Sequence, residues 1–574
     1  MIRPEYPDPL LEHADWLSLN GPWEFVETRG RWFGRPAQPE TLTVPFCVEA
    51  AASGVGRRLR GDSFWLRRRV TAPAAWRGKK IYLRAGAVDY RCEGFVNGLP
   101  AGVHEGGYTP MAWRIDPLLR PGENEISLFV RETRRGDLPR GKQTHLPFPY
   151  AVFYAPTSGV WQPVWLEARG QTNLAQAHAV ADDDDVLHFH LRFDGPPAGE
   201  IEIRLTHPDG APDAVVVAPI AGDTMTLAVR PLRPARWSPD APQLYQTAFA
   251  VRQNGAVVDA ARGYAGLRTI RVAGGRVLLN GEPLYHKFAL YQAYYPEGWA
   301  SPLADDVFRS DVETLKAFGF NGLRLHQTLA DPRLLYWCDK LGLLAWAEMP
   351  SPFAFAKVNR PAFEAMLREA LARDRGHPAI AAWVLFNETW GIYDILRDAD
   401  ARAWVRRMTA LARELDPSRP VVDNSGFAHL DSDILDIHHY LKGPERIRRL
   451  YRRLADPTAM GYQHWRNLYI VLAARIYESP LAPTGRHDGR PIVISECGGH
   501  GFKYYGDSSM SKLDSFRQTV SLLAEYPYLQ GFAYTQFCDV GQEQNGLVSF
   551  DRRPKIDPAE VRALLAPLGK TKQD

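Results

Sequence analysis

Two glutamates in the second half of the chain each follow a strongly apolar segment. Glu388 comes after the run Ala381-Ala-Trp-Val-Leu-Phe, and Glu496 comes shortly after Pro491-Ile-Val-Ile. A carboxyl group at the mouth of a buried strand has a low-dielectric wall behind it, and we expect this setting to raise its pKa. Two such groups that face each other across a pocket can divide the work of glycosidic-bond hydrolysis, one as the acid and the other as the nucleophile or base.

Other polar residues also fall at the ends of predicted strands. Each of them alone could be a helix cap or a satisfied polar group at a sheet edge. Burying many of them together on one face costs free energy unless they are paired or used. We therefore take eight of them as candidate substrate-binding residues: Asn387, His326, Tyr440, Glu348, Asn424, His438, Trp390 and Gln536.

The sequence after about residue 270 predicts the scaffold that positions these side chains. Short apolar strands alternate with amphipathic helices of about 10–15 residues, which is typical of parallel βα units. Eight strands are predicted: Leu284–Leu290, Gly322–Gln327, Leu343–Met349, Ile380–Glu388, Pro420–Gly426, Asp436–Tyr440, Pro491–Gly498 and Gly531–Asp539. Eight strand–helix units in about 300 residues fit a (β/α)₈ TIM barrel, with its active site at the carboxyl ends of the strands. A doubly wound sheet is the alternative, but the glycine-rich turn that it needs is missing near the first strand.

Two β-rich regions precede the predicted barrel. Up to about residue 170, short alternating segments are separated by Gly, Pro and Asn turns, which is the pattern of a β-sandwich. From there to about residue 270, period-two segments such as Leu187–Phe193 predict a second, smaller sandwich. We therefore predict three domains, at 1–170, 171–270 and 271–574.

Composition limits the classes of partner. The chain has 574 residues with a formal net charge of +3, so it has no large field of one sign to attract nucleic acid or an anionic membrane. Five scattered cysteines without a CxxC pair argue against a disulfide framework or a structural zinc site. The N-terminus lacks a basic segment followed by an apolar run, and no stretch reaches the roughly 18 apolar residues of a membrane span. We expect a cytoplasmic protein, with a trimmed secretory signal as the alternative.

Ordered motifs run along nearly the whole chain. They are Leu19-Asn20-Gly21-Pro-Trp23, Val96-Asn97-Gly98, His104-Glu-Gly-Gly-Tyr108, Ser158-Gly159-Val-Trp161, Trp237-Ser-Pro239, Leu278-Leu-Asn280-Gly281, His377-Pro378-Ala-Ile with Asn387-Glu388, and Ile494-Ser495-Glu496. In this order they resemble glycoside hydrolase family 2, the retaining β-glycosidases that include β-galactosidases and β-glucuronidases. The resemblance implies a jelly-roll-type sugar-binding sandwich, an immunoglobulin-like sandwich and a catalytic TIM barrel.

Carried over to this chain, the resemblance implies Glu388 as the acid/base and Glu496 as the nucleophile. It further implies that Asn387 binds the 2-hydroxyl of the sugar, that Tyr440 orients the nucleophile and that His326 lines the subsite. The expected activity is exo-acting β-glycoside hydrolysis on a carbohydrate substrate, with no cofactor and no metal. Dimers mediated by the sandwich are common among similar proteins, so a homo-oligomer is expected.

The sequence indicates the identity of the glycone less clearly than it indicates the hydrolysis reaction. The third strand ends Ala347-Glu348-Met349-Pro350 where large bacterial β-galactosidases have Asp-Glu-Ala-Asn, and the Asn-x-Lys pair of β-glucuronidases is missing. A β-galactosidase-like activity is expected first, with β-glucuronidase, β-galacturonidase and α-L-arabinofuranosidase as alternatives. Lys503 follows the nucleophile in a glycine-bearing loop. It is interpreted either as a surface charge or as a substrate-binding group that selects a uronic acid.

Other classes of function remain as alternatives. A carbohydrate-binding protein on an inactive barrel would normally have lost one carboxylate, and here both are present. A metal-dependent hydrolase using His438, His439, Asp436 and Glu348 is disfavoured because adjacent strand residues point to opposite faces. For the same reason Cys497, next to Glu496, is a poor candidate nucleophile.

Overall fold

A computed structural model describes the chain over residues 2–30, 39–146, 148–354, 357–456, 458, 480–503, 505 and 508–569. Its strands form two antiparallel sandwiches followed by one parallel barrel. Each region has its own cluster of buried apolar side chains. The fold class expected from the sequence is therefore confirmed, whereas the domain boundaries at 170 and 270 stay predictions.

The first sandwich packs a six-stranded sheet against a four-stranded sheet. Its region contains β1 (Glu12–His13), β2 (Trp16–Ser18), β3 (Gly21–Thr28), β4 (Glu40–Val44), β5 (Ser63–Thr71), β6 (Lys80–Ala85), β7 (Val88–Asp89), β8 (Arg91–Val96), β9 (Leu99–Glu105), β10 (Met111–Arg114), β11 (Glu123–Arg131), β12 (Gly159–Val160) and β13 (Val164–Arg169). The larger sheet has the order β4-β3-β5-β11-β8-β9 and the smaller one β10-β6-β13-β2. Buried Trp23, Leu66 and Ile126 belong to the core of this sandwich.

The second sandwich is smaller. It contains β14 (Asn173–Ala181), β15 (Leu187–Asp194), β16 (Glu200–Thr206), β17 (Pro212–Pro219), β18 (Thr224–Val229), β19 (Tyr245–Gln253) and β20 (Ala256–Ala265). The sheet β1-β20-β19-β16-β17 faces the sheet β14-β15-β18. The apolar residues of β15 are buried and alternate with His188, His190 and Arg192, as its period-two pattern predicts.

A small three-stranded sheet leads from the second sandwich into the barrel. It comprises β21 (Ile270–Ala273), β22 (Arg276–Leu279) and β23 (Glu282–Pro283). The barrel strands are β24 (His286–Tyr291), β25 (Gly322–Leu325), β26 (Leu344–Glu348), β27 (Ile380–Asn387), β28 (Val421–Ser425), β29 (Leu435–His438), β30 (Ile492–Gly498) and β31 (Leu529–Thr535). They pair in the order β28-β27-β26-β25-β24-β31-β30-β29, and β28 contacts β29, so the barrel is nearly closed.

Helices cover the outside of the barrel. Those described are α1 (Asp306–Ala317), α2 (Pro332–Leu341), α3 (Arg360–Asp374), α4 (Ala399–Leu415), α5 (Pro444–Leu454), α6 (Lys512–Ala524) and α7 (Pro558–Leu565). Their termini follow local sequence signals. Asp331 caps α2 by accepting from the Arg333 amide at 3.0 Å, and Gly342 ends the helix with a φ of 75°.

The fifth strand–helix unit differs from the prediction. Residues 426–434, all of which are described, connect β28 to β29 without a helix. A crossover that includes a helix needs about ten residues or more, so this connection is too short for one. The eight strands of the prediction are present, but one of the eight helices is replaced by a loop.

The described part of the chain has no helix that is both long and apolar enough to cross a membrane. All five cysteines are buried and free of disulfide bonds.

Candidate active site

The two glutamates predicted to do chemistry lie side by side at the carboxyl end of the barrel. Glu388 directly follows β27, and Glu496 is in β30. One carboxylate oxygen of each, together with a ring nitrogen of His438, all lie within 4.8 Å of one another. The side chain of Glu388 is 26% exposed and that of Glu496 is 6% exposed. Glu388 is therefore the more open of the two to a group that arrives or leaves through the barrel mouth.

A strained turn presents Glu388 to the pocket. Glu388 and Thr389 have φ values of 49° and 61°, a conformation that non-glycine residues seldom adopt. Neighbouring backbone and side-chain groups hold this turn. The Glu388 amide donates to the Ser425 carbonyl, and the Thr389 amide donates to Asn424 Oδ1, both at 2.9 Å. Because Asn424 Nδ2 also donates to the Phe427 carbonyl at 2.6 Å, the amide group of Asn424 positions the turn. Both polar atoms of the Asn424 side chain thus have partners within the protein, and its substrate-binding role stays a prediction.

Positive and hydrogen-bonding groups surround Glu496. Arg324 Nη1 donates to Glu496 Oε1 at 2.6 Å, and the Tyr440 hydroxyl donates to Oε2. His438 Nδ1 lies 3.5 Å from Oε1. Burial alone would raise the pKa of Glu496, but His438, Arg324 and the Tyr440 hydroxyl hold it well below its usual range. The expectation of a raised pKa at this strand mouth is therefore wrong for Glu496.

Arg324 also contacts acceptors other than Glu496. Besides Glu496, its Nη2 lies 2.6 Å from Glu348 and 2.8 Å from Asn387 Oδ1, and the guanidinium is fully buried. Burial, opposed by Arg324 and reinforced by the charge of Glu496, raises the pKa of Glu348 to about 7. Glu348 therefore anchors the arginine, and Glu496 keeps its negative charge. The Asn387 Nδ2 donor has no partner among the described residues, although it is buried.

His438 is the last residue of β29, and His439 follows it. Their rings contact different groups. His438 Nδ1 lies 3.0 Å from Glu388 Oε1, and its Nε2 lies 3.1 Å from Ser425 Oγ. His439 Nε2 lies 2.8 Å from the Tyr451 hydroxyl. The four-ligand metal set considered from the sequence is therefore not assembled. The three atoms of Glu388, His438 and Glu496 could reach a cation, but Arg324 already neutralises one of these carboxylates.

The remaining predicted residues lie around this centre. His326 Nδ1 is 3.2 Å from Glu348 Oε1 and 3.9 Å from Glu496 Oε1. Gln536 donates to Asn545 Oδ1 at 2.8 Å and accepts from Gln292 at 3.0 Å. Lys503 is exposed on the loop that follows β30, and its role stays a prediction.

An extension of the first sandwich covers one side of the barrel mouth. We call residues 132–158, described except for position 147, the sandwich arm. The Ala354 amide donates to the Gly136 carbonyl at 2.7 Å, and Gln542 Nε2 donates to the Phe153 carbonyl at 2.9 Å. The Phe153 ring stacks on Trp390 with a centroid distance of 5.0 Å. The arm thus joins the loops after β26 and β31 and packs against Trp390.

Several groups at the site were given no role from the sequence. Arg324 is one of the polar residues at the end of the second predicted strand, and because it precedes His326 by two residues it must share its face. The sandwich arm had no such signal, because Gly136 and Ala354 are 218 positions apart in the sequence and Phe153 and Gln542 are 389 apart.

A buried charged triad supports the site from below. His429 Nδ1 lies 2.8 Å from Asp423, and its Nε2 lies 3.2 Å from Asp436. Asp436 in turn accepts hydrogen bonds from Ser425 and Ser495, the residues that flank the two glutamates in space. Burial alone would lower the pKa of His429, but its bonds to the two aspartates raise it to about 10.

We expect His429→Gln to destabilise the barrel by about 3–5 kcal/mol, since the change leaves two buried carboxylates without their cation. This loss corresponds to several degrees in Tm. The charged form of His429 stabilises the fold fully below pH 6.5, and this contribution is lost as the pH rises through about 10. The Tm difference from the parent protein should therefore be largest near pH 6 and shrink towards pH 10.

The half-exposed pair of His188 and Asp182, 2.7 Å apart, offers a matched control. His188→Gln should change Tm little, because exposed ion pairs contribute only up to about 1 kcal/mol. An equally small Tm change for His429→Gln would contradict the role of the triad.

Two family models match the second sandwich and the barrel. A model described as "Glycosyl hydrolases family 2, TIM barrel domain" matches residues 270–548, and one described as "Glycosyl hydrolases family 2" matches residues 175–268. Together they match well over half of the chain.

Two curated relatives cover different shares of the chain. A β-galactosidase of Thermoanaerobacter pseudethanolicus is 28% identical over 62% of this chain and 48% of its own length. A β-glucuronidase of Paenibacillus borealis is 26% identical over 84% of this chain and 82% of its own length. The chain thus spans about half the length of the β-galactosidase and most of the β-glucuronidase.

Solved structures share the whole architecture. That of a β-D-glucuronidase from Dictyoglomus thermophilum has a TM-score of 0.77 at 20% identity and covers 99% of both chains. That of a β-glucuronidase from Ruminococcus gnavus has a TM-score of 0.76 at 20% identity and covers 98% of this chain and 99% of the other. At this identity the likeness concerns the fold alone.

Proposed function

The chain belongs to glycoside hydrolase family 2, and from this premise we propose that it is an exo-acting retaining β-glycosidase with Glu388 as acid/base and Glu496 as nucleophile. One observation supports the proposal above the others: the two glutamates have oxygens within 4.8 Å of each other. Retaining enzymes hold their two carboxyl groups about 5–5.5 Å apart, whereas inverting enzymes leave roughly 6.5–9.5 Å for a water molecule.

In the first step, a Glu496 oxygen attacks the anomeric carbon while Glu388 protonates the departing glycosidic oxygen. Arg324 and Tyr440 favour the ionised form of Glu496 and so keep the nucleophile ready at neutral pH. The greater exposure of Glu388 suits an acid that must meet leaving groups of different sizes. The products of this step are the released alcohol and a covalent glycosyl-enzyme.

In the second step, the ionised Glu388 takes a proton from water as the water oxygen attacks the anomeric carbon and Glu496 leaves. His438, at 3.0 Å from Glu388, orients this carboxyl group in both steps. Asn387 is held by Arg324 through its oxygen, so its Nδ2 is the group available to bind the 2-hydroxyl. A contact of this kind lowers the barrier where it strengthens in the oxocarbenium-like transition state.

The sandwich arm supports the exo mode of action. It bridges the loops after β26 and β31 and closes one side of the mouth, which favours a blind pocket for a terminal sugar over an open cleft. The relatives' names suggest β-galactosides and β-glucuronides as the first substrates to test. A dimeric state and a cytoplasmic location stay predictions.

Product stereochemistry tests the proposal. We expect proton NMR of a reaction with a 4-nitrophenyl β-glycoside to show the β-anomer of the free sugar first, with the α-anomer appearing only by mutarotation. The panel should include the β-galactoside, β-glucuronide, β-galacturonide, β-glucoside and β-mannoside, with the α-L-arabinofuranoside. An initial α-anomer would reject the double displacement, and no turnover of any glycoside would reject the function.

A further inference from the structure

A lysine of the sandwich arm is buried at the rim of the catalytic centre. Lys142 is only 7% exposed, although it lies in a loop of the first sandwich. Its carbonyl accepts from the Tyr154 amide at 2.8 Å, and the preceding Gly141 amide donates to the Ser351 carbonyl at 3.1 Å. A Cβ at Gly141 would lie 2.1 Å from the Gln327 carbonyl oxygen, so only glycine allows this approach. The backbone around Lys142 is therefore seated firmly on the barrel.

The side chain of Lys142 reaches residues of the site. Its Nζ lies 5.1 Å from the centroid of the Trp390 ring, within the range of a cation–π contact. Lys142 also lines a small cavity together with His326, Gln327 and Gln292. After burial, its charge is the largest cause that lowers the pKa of His326, a residue 3.9 Å from the nucleophile. The ammonium group is thus part of the electrostatics of the sugar pocket.

Among the described residues, Lys142 Nζ forms no hydrogen bond and has no carboxylate oxygen within 4.0 Å, although its charge is the largest that lowers the pKa of the buried Glu543. The other buried cation of the site, Arg324, contacts two carboxylates at 2.6 Å. A buried ammonium without a directly bonded counter-ion costs free energy that an anionic ligand can offset. Lys142 therefore favours a ligand with a negative charge at this end of the pocket.

Gln327 supplies a second donor in the same cavity. Its Oε1 accepts from the Ser351 amide at 2.7 Å, which fixes the orientation of the side-chain amide. Its Nε2 is buried and has no partner in the part of the chain that the structure describes. Two donors that line one cavity, one of them cationic, match the two oxygens of a carboxylate.

We propose that Lys142, assisted by Gln327, is the specificity-determining residue of the pocket and binds the carboxylate of a uronic acid glycone. This inference rests on the proposed β-glycosidase function and names the class of sugar. It assigns the recognition of the sugar acid to the first sandwich, so the arm both closes the pocket and selects its substrate. Lys503, which the sequence offered for this task, is exposed on another loop.

The test removes the charge of the protein by replacing Lys142 and, separately, the charge of the substrate by esterifying its carboxylate. Lys142→Met should lower kcat/KM on 4-nitrophenyl β-D-glucuronide or β-D-galacturonide by about 30- to 1000-fold, mainly through KM, as expected when one partner of a desolvated charge pair is removed. The parent protein should discriminate against the methyl ester of the same uronide by a similar factor. The Lys142→Met variant should have similar kcat/KM values for the acid and the ester, and Lys142→Arg should retain part of the preference for the acid.

Lys442→Ala removes an exposed lysine two residues beyond Tyr440 and serves as the matched control. It should leave the ratio of acid to ester turnover unchanged. Equal losses on acid and ester in Lys142→Met would overturn the proposal. Because the acid and ester comparison in the parent protein needs no variant, equal turnover of the two by that protein would overturn it even if Lys142→Met failed to fold.

The same panel separates this inference from the proposed function. Turnover of neutral β-glycosides without turnover of uronides would overturn the role of Lys142 and leave the glycosidase intact. Failure of the parent protein on every glycoside would reject both.

Discussion

Glu496→Ala is expected to lower kcat by about 10⁴-fold or more, because no other group in the site is held ionised against the anomeric carbon. The substitution leaves a small cavity beside Arg324, 2.6 Å from the lost oxygen, and the hydroxyl of Tyr440. Both groups favour an anion there. Added azide should therefore enter the cavity, attack the anomeric carbon and restore part of the turnover of a substrate with a good leaving group.

The product of this rescue tests the geometry. Azide would attack from the face opposite the leaving group, so a β-glycoside should give the α-glycosyl azide, which NMR identifies. Glu348→Ala is the matched control, because Glu348 is also buried and also contacts Arg324 at 2.6 Å. It should yield no glycosyl azide. An α-glycosyl azide from the Glu348 variant but not from the Glu496 variant would exchange the assigned roles.

The sequence was sufficient to predict the pairing of the two glutamates. Buried parallel strands appear as continuous apolar runs, and their carboxyl ends must meet at one face of a barrel. The residue that follows such a run is therefore placed in three dimensions by its local sequence alone. This is why Glu388, Glu496 and His326 were found together, with strand ends accurate to within a few residues.

The protonation state of Glu496 could not be predicted in the same way. Its pKa depends on Arg324 from β25, His438 from β29 and Tyr440 just beyond it, and the balance between burial and these charges is set by side-chain distances. The contribution of Lys142 was hidden for a different reason. It depends on how one sandwich loop packs against the barrel. The periodicity of a sequence indicates local secondary structure and does not indicate contacts between distant segments.

Glu388→Gln is expected to slow turnover by about 10²- to 10⁴-fold, with the size of the loss set by the leaving group. Glutamine has nearly the same shape and still offers an oxygen to His438, which lies 3.0 Å from Glu388. The variant should therefore keep the pocket intact and lose only the proton transfers. The alcohol of an alkyl glycoside leaves only when the acid protonates it, whereas dinitrophenolate leaves without protonation. Turnover of the alkyl substrate should therefore fall far more than turnover of the dinitrophenyl substrate.

With the dinitrophenyl glycoside, the loss of the base becomes visible in the second step. The glycosyl-enzyme should accumulate, which stopped-flow detects as a burst of phenolate followed by slow turnover at an unusually low KM. Azide needs no base, and here it would attack the glycosyl-enzyme from the face that the leaving group vacated. The product should therefore be the β-glycosyl azide, opposite in configuration to that from Glu496→Ala. Equal losses on alkyl and aryl glycosides, or an α-azide from this variant, would show that Glu388 is not the acid/base.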